Sequence, residues 1–362
     1  MRILHIHTSM AGGGIESMVC GIVNEMAKTK DVTLCTIFKP KHTDVFEKKL
    51  SQKVKRDNLG KEKTGFSLKE IYKIYKYIKN GKFDIVHIHG FFYYYFISIL
   101  LLHSKTKFVY TIHSDAKQEN VSWDARLFKI KRMCFKRGYM KAVTISEVSQ
   151  ESFNNMYNCN SNLIKNGIPK SIITDTTLLN QYKITLSTKI LFHAGRISEP
   201  KNQLLLCKVA DRLIKEGFDI VLLIAGGNQD PIIYNAIEPY FSDRIKYLGE
   251  RNDIPQLFAS SDAMCLPSIW EGLPVVLLEA LSVGCIPVCT PVGGIPNVIK
   301  DGENGFLSKD SSFQSYYETL KSFLKSDKEV IKEMKKNCIK SFEPYSIEIA
   351  SNNYINFYRS IK

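Results

Sequence analysis

The chain opens with Arg2-Ile3-Leu4-His5-Ile6-His7, passes through Gly12-Gly13-Gly14, and continues from Ile15 to Ala27 with apolar residues at helical spacing. The short apolar run reads as a buried strand, the glycines as a tight loop, and the periodic segment as an amphipathic helix. A strand that enters a helix through a glycine loop is the building unit of doubly wound α/β sheets.

The same alternation recurs outward from this opening. Strands are predicted at Val32–Phe38, Asp84–His89, Phe108–His113 and Ala142–Ile145, separated by helices that include Leu68–Lys79 and Ser122–Lys136. Such alternation implies a parallel sheet with helices on both faces. Asn166-Gly167-Ile168-Pro169 is a turn signal, and the polar stretch Lys170–Ser187 after it marks a domain junction. The pattern then restarts. Strands are predicted at Lys189–Ala194, Asp219–Ala225, Ile245–Leu248, Ala263–Leu266 and Ile286–Cys289. Helices are predicted at Asn202–Glu216, Ile254–Ser260, Pro274–Val283 and Ile295–Ile299, with a helical, charged tail from Ser311. No period of roughly 20–50 residues repeats, which argues against a solenoid. The expected fold is α/β, with two Rossmann-like doubly wound domains, residues 1–170 and 171–345, facing each other across a cleft.

At 362 residues, 44% apolar and 24% charged, the chain has the material for two packed cores. The net charge of +14 is unevenly placed: residues 1–170 hold 29 Lys and Arg against 14 Asp and Glu, and the remainder 21 against 22. A basic first half suggests an anionic partner, such as a membrane surface or a phosphorylated acceptor, although a Lys-rich solvated surface also fits. No zinc-finger, RNP-like or basic-repeat motif supports nucleic-acid binding, and none is expected. The nine cysteines form no C-x-x-C pair, and none has His nearby at zinc-ligand spacing. This suits a reducing cytoplasm better than a disulfide framework. Ile3 to Ile6 is too short for a signal-peptide core. Phe91 to Leu102 falls short of the ~20 residues that span a bilayer, and reads as a core or cleft-lining helix. The expected location is cytoplasmic, with any membrane association peripheral.

Four stretches carry chemistry. The first is Glu271-Gly272-Leu273-Pro274-Val275-Val276-Leu277-Leu278-Glu279, directly after a strand. Gly272 allows close backbone approach, Pro274 suits a first helical turn, and the free N–H groups of that turn suit a diphosphate. Glu279 sits in an almost wholly apolar helix, where a carboxylate needs a partner or a ligand such as a ribose diol. An ordinary capped helix with one solvated Glu is the plainer alternative. The second is Gly195-Arg196-Ile197-Ser198-Glu199-Pro200-Lys201 at another strand end. Arg196 forks two phosphate oxygens and Lys201 adds a point charge, together suited to neutralising a leaving diphosphate. A surface loop with two solvated cations fits equally. The third is Gly12-Gly13-Gly14-Ile15-Glu16. Ser17 stands where the dinucleotide fingerprint needs glycine, and no acidic residue ends the second strand, so hydride chemistry is disfavoured. The fourth is Thr111-Ile112-His113-Ser114-Asp115, where His113 is suited to a sugar hydroxyl or to a structural role.

Taken together, these motifs resemble family-4 glycosyltransferases of the GT-B fold over nearly the whole chain. The matching elements are Gly13-Gly14-Ile15-Glu16, His113-Ser114-Asp115, Asn166-Gly167-Ile168, Gly195-Arg196 to Lys201, and Glu271 to Glu279 in an E-x7-E pattern. The resemblance implies a retaining transfer from a nucleotide-sugar, most simply a UDP-sugar, which is a substrate and not a cofactor; no metal is required. It implies that Arg196 and Lys201 hold the donor diphosphate and Glu279 the ribose. Glu271, Gly272 and the backbone at Leu273, Pro274 and Val275 would hold the donor sugar and phosphates. His113 would contact the sugar near the reacting carbon, and the base would lie beside Glu250 and Arg251. Gly13 and Gly14 would close on the phosphates, and Gly226 stands at a strand end that often reads G-x-G in the family. The final helix, Ser346–Lys362, would cross back to the first domain. One departure is Asn297, which follows Gly293-Gly294-Ile295-Pro296 where many members carry Glu.

Trp123 to Arg137 is a basic stretch whose apolar positions 123, 127, 130 and 134 share one helical face. It fits a packed helix with a solvated Lys/Arg back. Alternatively it fits a membrane-surface or lipid-diphosphate site. With the basic first half, it suggests a lipid-linked saccharide acceptor at the inner membrane face, as in bacterial capsule or O-chain assembly. The rival functions are a nucleotide-sugar epimerase of similar shape and a catalytically silent binding protein.

Overall fold

Thirteen strands, all paired in parallel, build two separate sheets among the described residues. The computed structural model describes residues 1–11, 13–42, 44–62, 67–90, 106–113, 116 and 125–362, side chains of 125–127 excepted. It divides into two compact units, Met1–Pro169 with Tyr345–Lys362, and Lys170–Pro344.

In the first unit the strands are β1 (Arg2–His7), β2 (Asp31–Phe38), β3 (Lys55–Lys61), β4 (Ile85–His89), β5 (Lys107–Ile112), β6 (Met140–Thr144) and β7 (Asn162–Leu163), in the order β3-β2-β1-β4-β5-β6-β7. Its helices are α1 (Gly14–Met26), α2 (Leu68–Gly81), α3 (Ala125–Lys136), α4 (Glu147–Tyr157) and, at the end of the chain, α11 (Ile347–Ile361). The central strands are buried on both faces because helices cover both. Leu4, Ile6, Val86, Ile88, Phe108 and Tyr110 meet the α2 and α3 side. Ile3, Ile85 and Val109 meet α1 and α11, including Val19, Tyr354 and Tyr358.

The attachment of α11 has a local cause in Asn166-Gly167-Ile168. The Ile168 N–H donates to the Tyr345 carbonyl at 3.0 Å, and the Ile347 N–H donates to the Ile168 carbonyl at 3.0 Å. A side chain at Gly167 would run into Ala350 and the Ser346 carbonyl, so glycine permits the close approach.

The second unit has β8 (Lys189–Ala194), β9 (Ile220–Ala225), β10 (Ile245–Tyr247), β11 (Ala263–Leu266), β12 (Ile286–Cys289) and β13 (Phe306–Leu307), in the order β10-β9-β8-β11-β12-β13. Its helices are α5 (Gln203–Lys215), α6 (Pro231–Ile237), α7 (Ile254–Ala259), α8 (Val275–Ser282), α9 (Phe313–Lys325) and α10 (Lys328–Phe342). The strand order turns back between β8 and β11. In an open α/β sheet the crevice at such a reversal, at the carboxyl ends of the strands, is where ligands bind.

Several elements differ from the sequence reading. β3, β7, β13, α4 and α6 form without having been predicted. Pro274 precedes α8 in an extended conformation, with ψ of 124°, and does not open its first turn. The predicted segment 91–102 lies outside the described residues, as do Gly12, Ser114 and Asp115 and the part of the 123–137 stretch before Ala125. Within α3, the expected solvated basic back is corrected at one position. Lys131 is fully buried, with Nζ 4.5 Å from the ring centre of Tyr110 and 5.6 Å from that of Tyr157. Three residues before Cys134 and four before Phe135, it shares their inward side, and two aromatic faces attract its charge. No described helix is long and apolar enough to cross a membrane. All nine cysteines are free thiols, eight of them buried.

Candidate functional site

In the second unit, the loops after β8 and β11 are stitched together at the sheet's switch point. The Ile269 N–H donates to the Pro200 carbonyl at 2.8 Å, and Asn202 Nδ2 donates to the Pro267 carbonyl at 3.3 Å. Between these anchors, Lys201 Nζ donates to Glu271 Oε1 at 2.6 Å. Ser268 Oγ donates to the same oxygen at 2.7 Å. Thr290 Oγ1 holds the Ser268 carbonyl at 2.6 Å, so the β12 end braces the β11 loop. Glu271 keeps only 9% of its side chain exposed and Lys201 only 20%. A cation and a hydroxyl both point at one oxygen of this covered carboxylate, so its burial is matched by polar partners.

Arg196 is exposed and donates from Nη1 to Gln229 Oε1, a neutral acceptor, at 3.0 Å. Among the described residues no carboxylate pairs with it. Its backbone is fixed from below. Buried Gln203 donates from Nε2 to the Arg196 carbonyl at 2.9 Å and to His193 Nε2 at 3.1 Å. That second bond makes His193 Nε2 an acceptor and leaves its proton on Nδ1, which donates to the Cys265 carbonyl at 2.8 Å. Burial pushes the His193 pKa down to about 4. The ring is a neutral brace between β8 and β11.

Glu279 lies in α8 on the half-exposed side, with Val275 one turn earlier, while Leu277, Leu278, Ala280 and Leu281 are buried. The first N–H groups of α8 lack a side-chain cap, so they are donors suited to an anion. Gly272 and Leu273 lead into this helix. The Gly294 N–H donates to the Gly272 carbonyl at 2.6 Å. Gly293 has φ of +56°, and a Cβ on it would run into the Glu271 carbonyl. Gly226 is equally constrained: at φ of +149° it faces the Gly195 carbonyl with no room for a side chain. Its N–H bonds the Gly249 carbonyl at 2.8 Å, and its carbonyl accepts from Tyr247 Oη at 2.6 Å. Glu250 and Arg251 follow at the β10 end. Arg251 is bidentate to Asp253, at 2.9 and 2.6 Å. The second unit thus assembles Arg196, Lys201, Gly226, Glu250, Arg251, Glu271, Gly272, Leu273, Pro274, Val275 and Glu279 at the carboxyl ends of β8, β9, β10 and β11.

Gly13, Gly14 and His113 belong to the first unit. Gly13 precedes α1 in extended backbone, and Gly14 begins the helix. The Glu16 carboxylate fills the space beside Gly13 and reaches His7 Nε2 at 3.3 Å. An acidic group therefore already sits at the first turn of α1, where an anion was expected.

Period-two alternation puts His5, His7, His87, His89 and Thr111 on the α1 and α11 face of the sheet, with His113 just past the end of β5. His87 is bonded on both sides, Nδ1 to Tyr358 Oη at 2.5 Å and Nε2 to Thr111 Oγ1 at 2.7 Å. His5, His87 and His89 could each offer a ligand nitrogen, with these atoms within 4.8 Å of one another. Around a tetrahedral zinc, neighbouring nitrogens stand about 3.4 Å apart. Both His87 nitrogens already face hydroxyls, so the cluster is a hydrogen-bonded lattice and not a preformed metal centre. Alternation along β1 and β4 in the sequence places His5, His7, His87 and His89 on one face of the sheet. The sequence reading gave no role to His193, Gln203 or Ser268, which brace the second-unit site; only the place of His193 in β8 hinted at it.

The model for glycosyl transferases group 1 matches residues 175–341, and that for Glycosyltransferase Family 4 matches residues 12–171. An Escherichia coli UDP-Gal:alpha-D-GlcNAc-diphosphoundecaprenol alpha-1,3-galactosyltransferase is 27% identical over 314 residues, covering 75% of this chain and 73% of that protein. A Campylobacter jejuni N-acetylgalactosaminyltransferase, named for a diphospho-undecaprenol acceptor, is 28% identical over 48% of each chain. Among solved structures, a Rickettsia africae glycosyltransferase superposes with a TM-score of 0.82 at 16% identity, covering 99% of this chain and 98% of that one. Anabaena HepE in complex with UDP and glucose gives 0.79 at 19% identity, covering 99% and 100%. The fold is that of the GT-B glycosyltransferases, and the chain is a glycosyltransferase belonging to family 4.

Proposed function

We propose that this enzyme transfers a sugar, with retention at the anomeric carbon, from a UDP-sugar to a lipid-linked saccharide in bacterial cell-surface polysaccharide synthesis. The observation that carries the donor site is the pairing of Lys201 with Glu271 beside Arg196, at the β8–β11 switch point and ahead of the uncapped start of α8. Two cations and a set of backbone donors suit a diphosphate, and Glu279 one turn into the helix suits a ribose diol. Glu271, Gly272, Leu273, Pro274 and Val275 are assigned to the donor sugar and phosphates. Glu250 and Arg251 are assigned to the base, and Gly13, Gly14 and His113 to the phosphates and sugar. The bond from the anomeric carbon to the phosphate oxygen breaks, and the acceptor hydroxyl oxygen bonds that carbon on the same face. The hydroxyl proton passes to the departing phosphate oxygen. Arg196 and Lys201 stabilise the charge that grows on the diphosphate.

The names of the two diphospho-undecaprenol relatives support the lipid-linked acceptor, and the first of these names also supports UDP. The basic balance of residues 1–170 supports contact with an anionic membrane. The test is product analysis with UDP-sugars and a diphosphate-linked lipid acceptor. Transfer with an α-linkage from an α-donor supports the reading. Near-normal turnover by Lys201→Ala would sink the site assignment. Flotation with liposomes that is indifferent to anionic lipid would remove the membrane contact.

A further inference from the structure

Two large apolar side chains stand exposed on the loop after β11. Ile269 is 46% exposed and Trp270 43%, and among the described residues they are the one pair of large exposed hydrophobics adjacent in sequence. Their neighbours are the opposite. Ser268 is fully buried, and the Glu271 side chain is nearly so. The backbone is held on both sides of Trp270. Thr290 Oγ1 bonds the Ser268 carbonyl, the Ile269 N–H bonds the Pro200 carbonyl, and the Gly294 N–H bonds the Gly272 carbonyl. Among the described residues no hydrogen bond or ring contact holds the indole itself.

Single exposed hydrophobics are ordinary on a protein surface. A pair that leaves an indole wet, on backbone already fixed and next to a site carboxylate, is different. The ring gains by burial only when another group arrives to cover it. Its place in the sheet says which group. The strand order β10-β9-β8-β11 puts the β11 loop three strands from β10, about 14 Å at the usual spacing of neighbouring strands. The base is assigned to the β10 end, and the sugar to Glu271, the next residue after Trp270. The nucleotide therefore extends away from Trp270, and the reacting sugars meet near it. A pyranose carries C–H groups on its ring face and hydroxyls around its edge. An indole can cover that face while polar groups meet the rim.

We infer that Trp270, with Ile269 beside it, is the stacking platform for the pyranose ring of a substrate at the reacting end of the site. The inference rests on the donor site proposed above, which fixes where the sugar lies. The ring belongs to the donor or to the acceptor. Both present the same apolar face, and kinetics separate them.

The experiment is steady-state kinetics of the full chain, with the nucleotide-sugar and the acceptor varied in turn, on Trp270→Ala, Trp270→Leu and Trp270→Phe. Melting temperature and the thermal shift given by UDP are measured beside it. Trp270→Ala should raise one KM about twofold to tenfold, the scale of a lost aromatic contact. Trp270→Leu keeps apolar bulk without a flat face and should behave like Trp270→Ala. Trp270→Phe keeps a ring and should stay close to the wild type. A raised KM for the nucleotide-sugar assigns the ring to the donor, and a raised KM for the acceptor assigns it to the acceptor; either upholds the inference. Melting temperature and the UDP shift should not move, because the side chain is exposed and the diphosphate and base are held elsewhere. A fall in both, shared by Trp270→Phe, would make Trp270 structural and overturn the inference. Two unchanged KM values in Trp270→Ala overturn it as well, and loss of liposome flotation in that variant would make the pair a membrane contact instead. So does a Trp270→Leu that matches the wild type, since bulk alone would then suffice. Failure of the donor site looks different. The wild type then shows no shift with any nucleoside diphosphate, whereas a UDP shift with unchanged KM values removes the platform alone.

Discussion

Lys201 Nζ and Glu271 Oε1 lie 2.6 Å apart, joining the loop after β8 to the loop after β11 across the switch point of the second sheet. The pair places a cation at the mouth of the anion site while holding it in one position. A diphosphate arriving there has to share Lys201 with Glu271, which leaves Arg196, bonded only to neutral Gln229 among the described residues, as the readier of the two charges.

Stability and chemistry should separate at this pair. Lys201→Met leaves the largely covered Glu271 carboxylate with only the Ser268 hydroxyl on that oxygen, and should destabilise the second unit by about 1–2 kcal/mol. Adding Glu271→Gln removes the stranded charge and should recover most of that loss, as interacting residues do in a double-mutant cycle. Turnover should stay down about 10²–10³-fold in both, because the cation is absent from the transition state. Denaturation curves beside transfer rates check this. Equal stability of the single and double variants would mean that the pair is not coupled.

Acid should weaken the fold well above the pH at which carboxylates titrate. His193 has its pKa pushed down to about 4, against 6.5 for an exposed histidine. Between those values the unfolded chain binds a proton that the folded ring refuses. Stability is therefore full above about pH 6.5 and falls as the pH drops toward 4, by roughly 3 kcal/mol for this group at most. The first unit holds His5 and His113 at about 3, with His87 and His89 also lowered, all by burial. It should lose more than the second unit over the same range. Hydrogen exchange at pH 7 and pH 5 resolves the two units, and equal protection of the first unit at both would contradict the prediction.

Glycine at two positions is required by space as well as by conformation. Gly293→Ala would press a Cβ against the Glu271 carbonyl, and Gly226→Ala would press one against the Gly195 carbonyl. Both positions have positive φ, so each substitution should cost more than about 1 kcal/mol. Each should also displace a site residue, and nucleotide affinity should fall together with melting temperature. Wild-type affinity in either variant would show that these loops tolerate the shift.

The sequence was most legible where strands are buried on both faces. β8, β11 and β12 match their predicted bounds, because a continuous apolar run between turn residues has few other readings. β3 was missed because Lys-Arg-Asp-Asn-Leu-Gly-Lys is mostly exposed on an edge strand that pairs only with β2. In α4, only Ser149, Phe153 and Tyr157 turn inward, and the Ser146–Ser149 capping box lacks the usual acidic residue. α6 did carry a start signal in Asp230-Pro231, with Asp230 accepting from Ile232 and Ile233, but its seven residues are too few to show a period.

At the site, motif spacing located Arg196, Lys201, Glu271 and Glu279, but it did not show that Lys201 and Glu271 bond each other, since 70 residues separate them. The histidine cluster was equally hidden. His5, His7, His87 and His89 were visible as alternating strand residues, yet their linkage depends on β1 lying beside β4, a pairing of distant segments. Lys131 turned inward because Tyr110 and Tyr157 come from other elements, which helical spacing within α3 cannot register.

The most direct test of the donor site is a thermal-shift panel of UDP, GDP, ADP and NAD on the wild type and on Glu279→Ala. A ligand at about 100 times its Kd adds roughly 2.7 kcal/mol, which for units of this size raises Tm by about 2–4 °C per kcal/mol. The account predicts a rise with UDP that is lost in Glu279→Ala. No rise with any nucleoside diphosphate, or a rise with NAD alone, would contradict it.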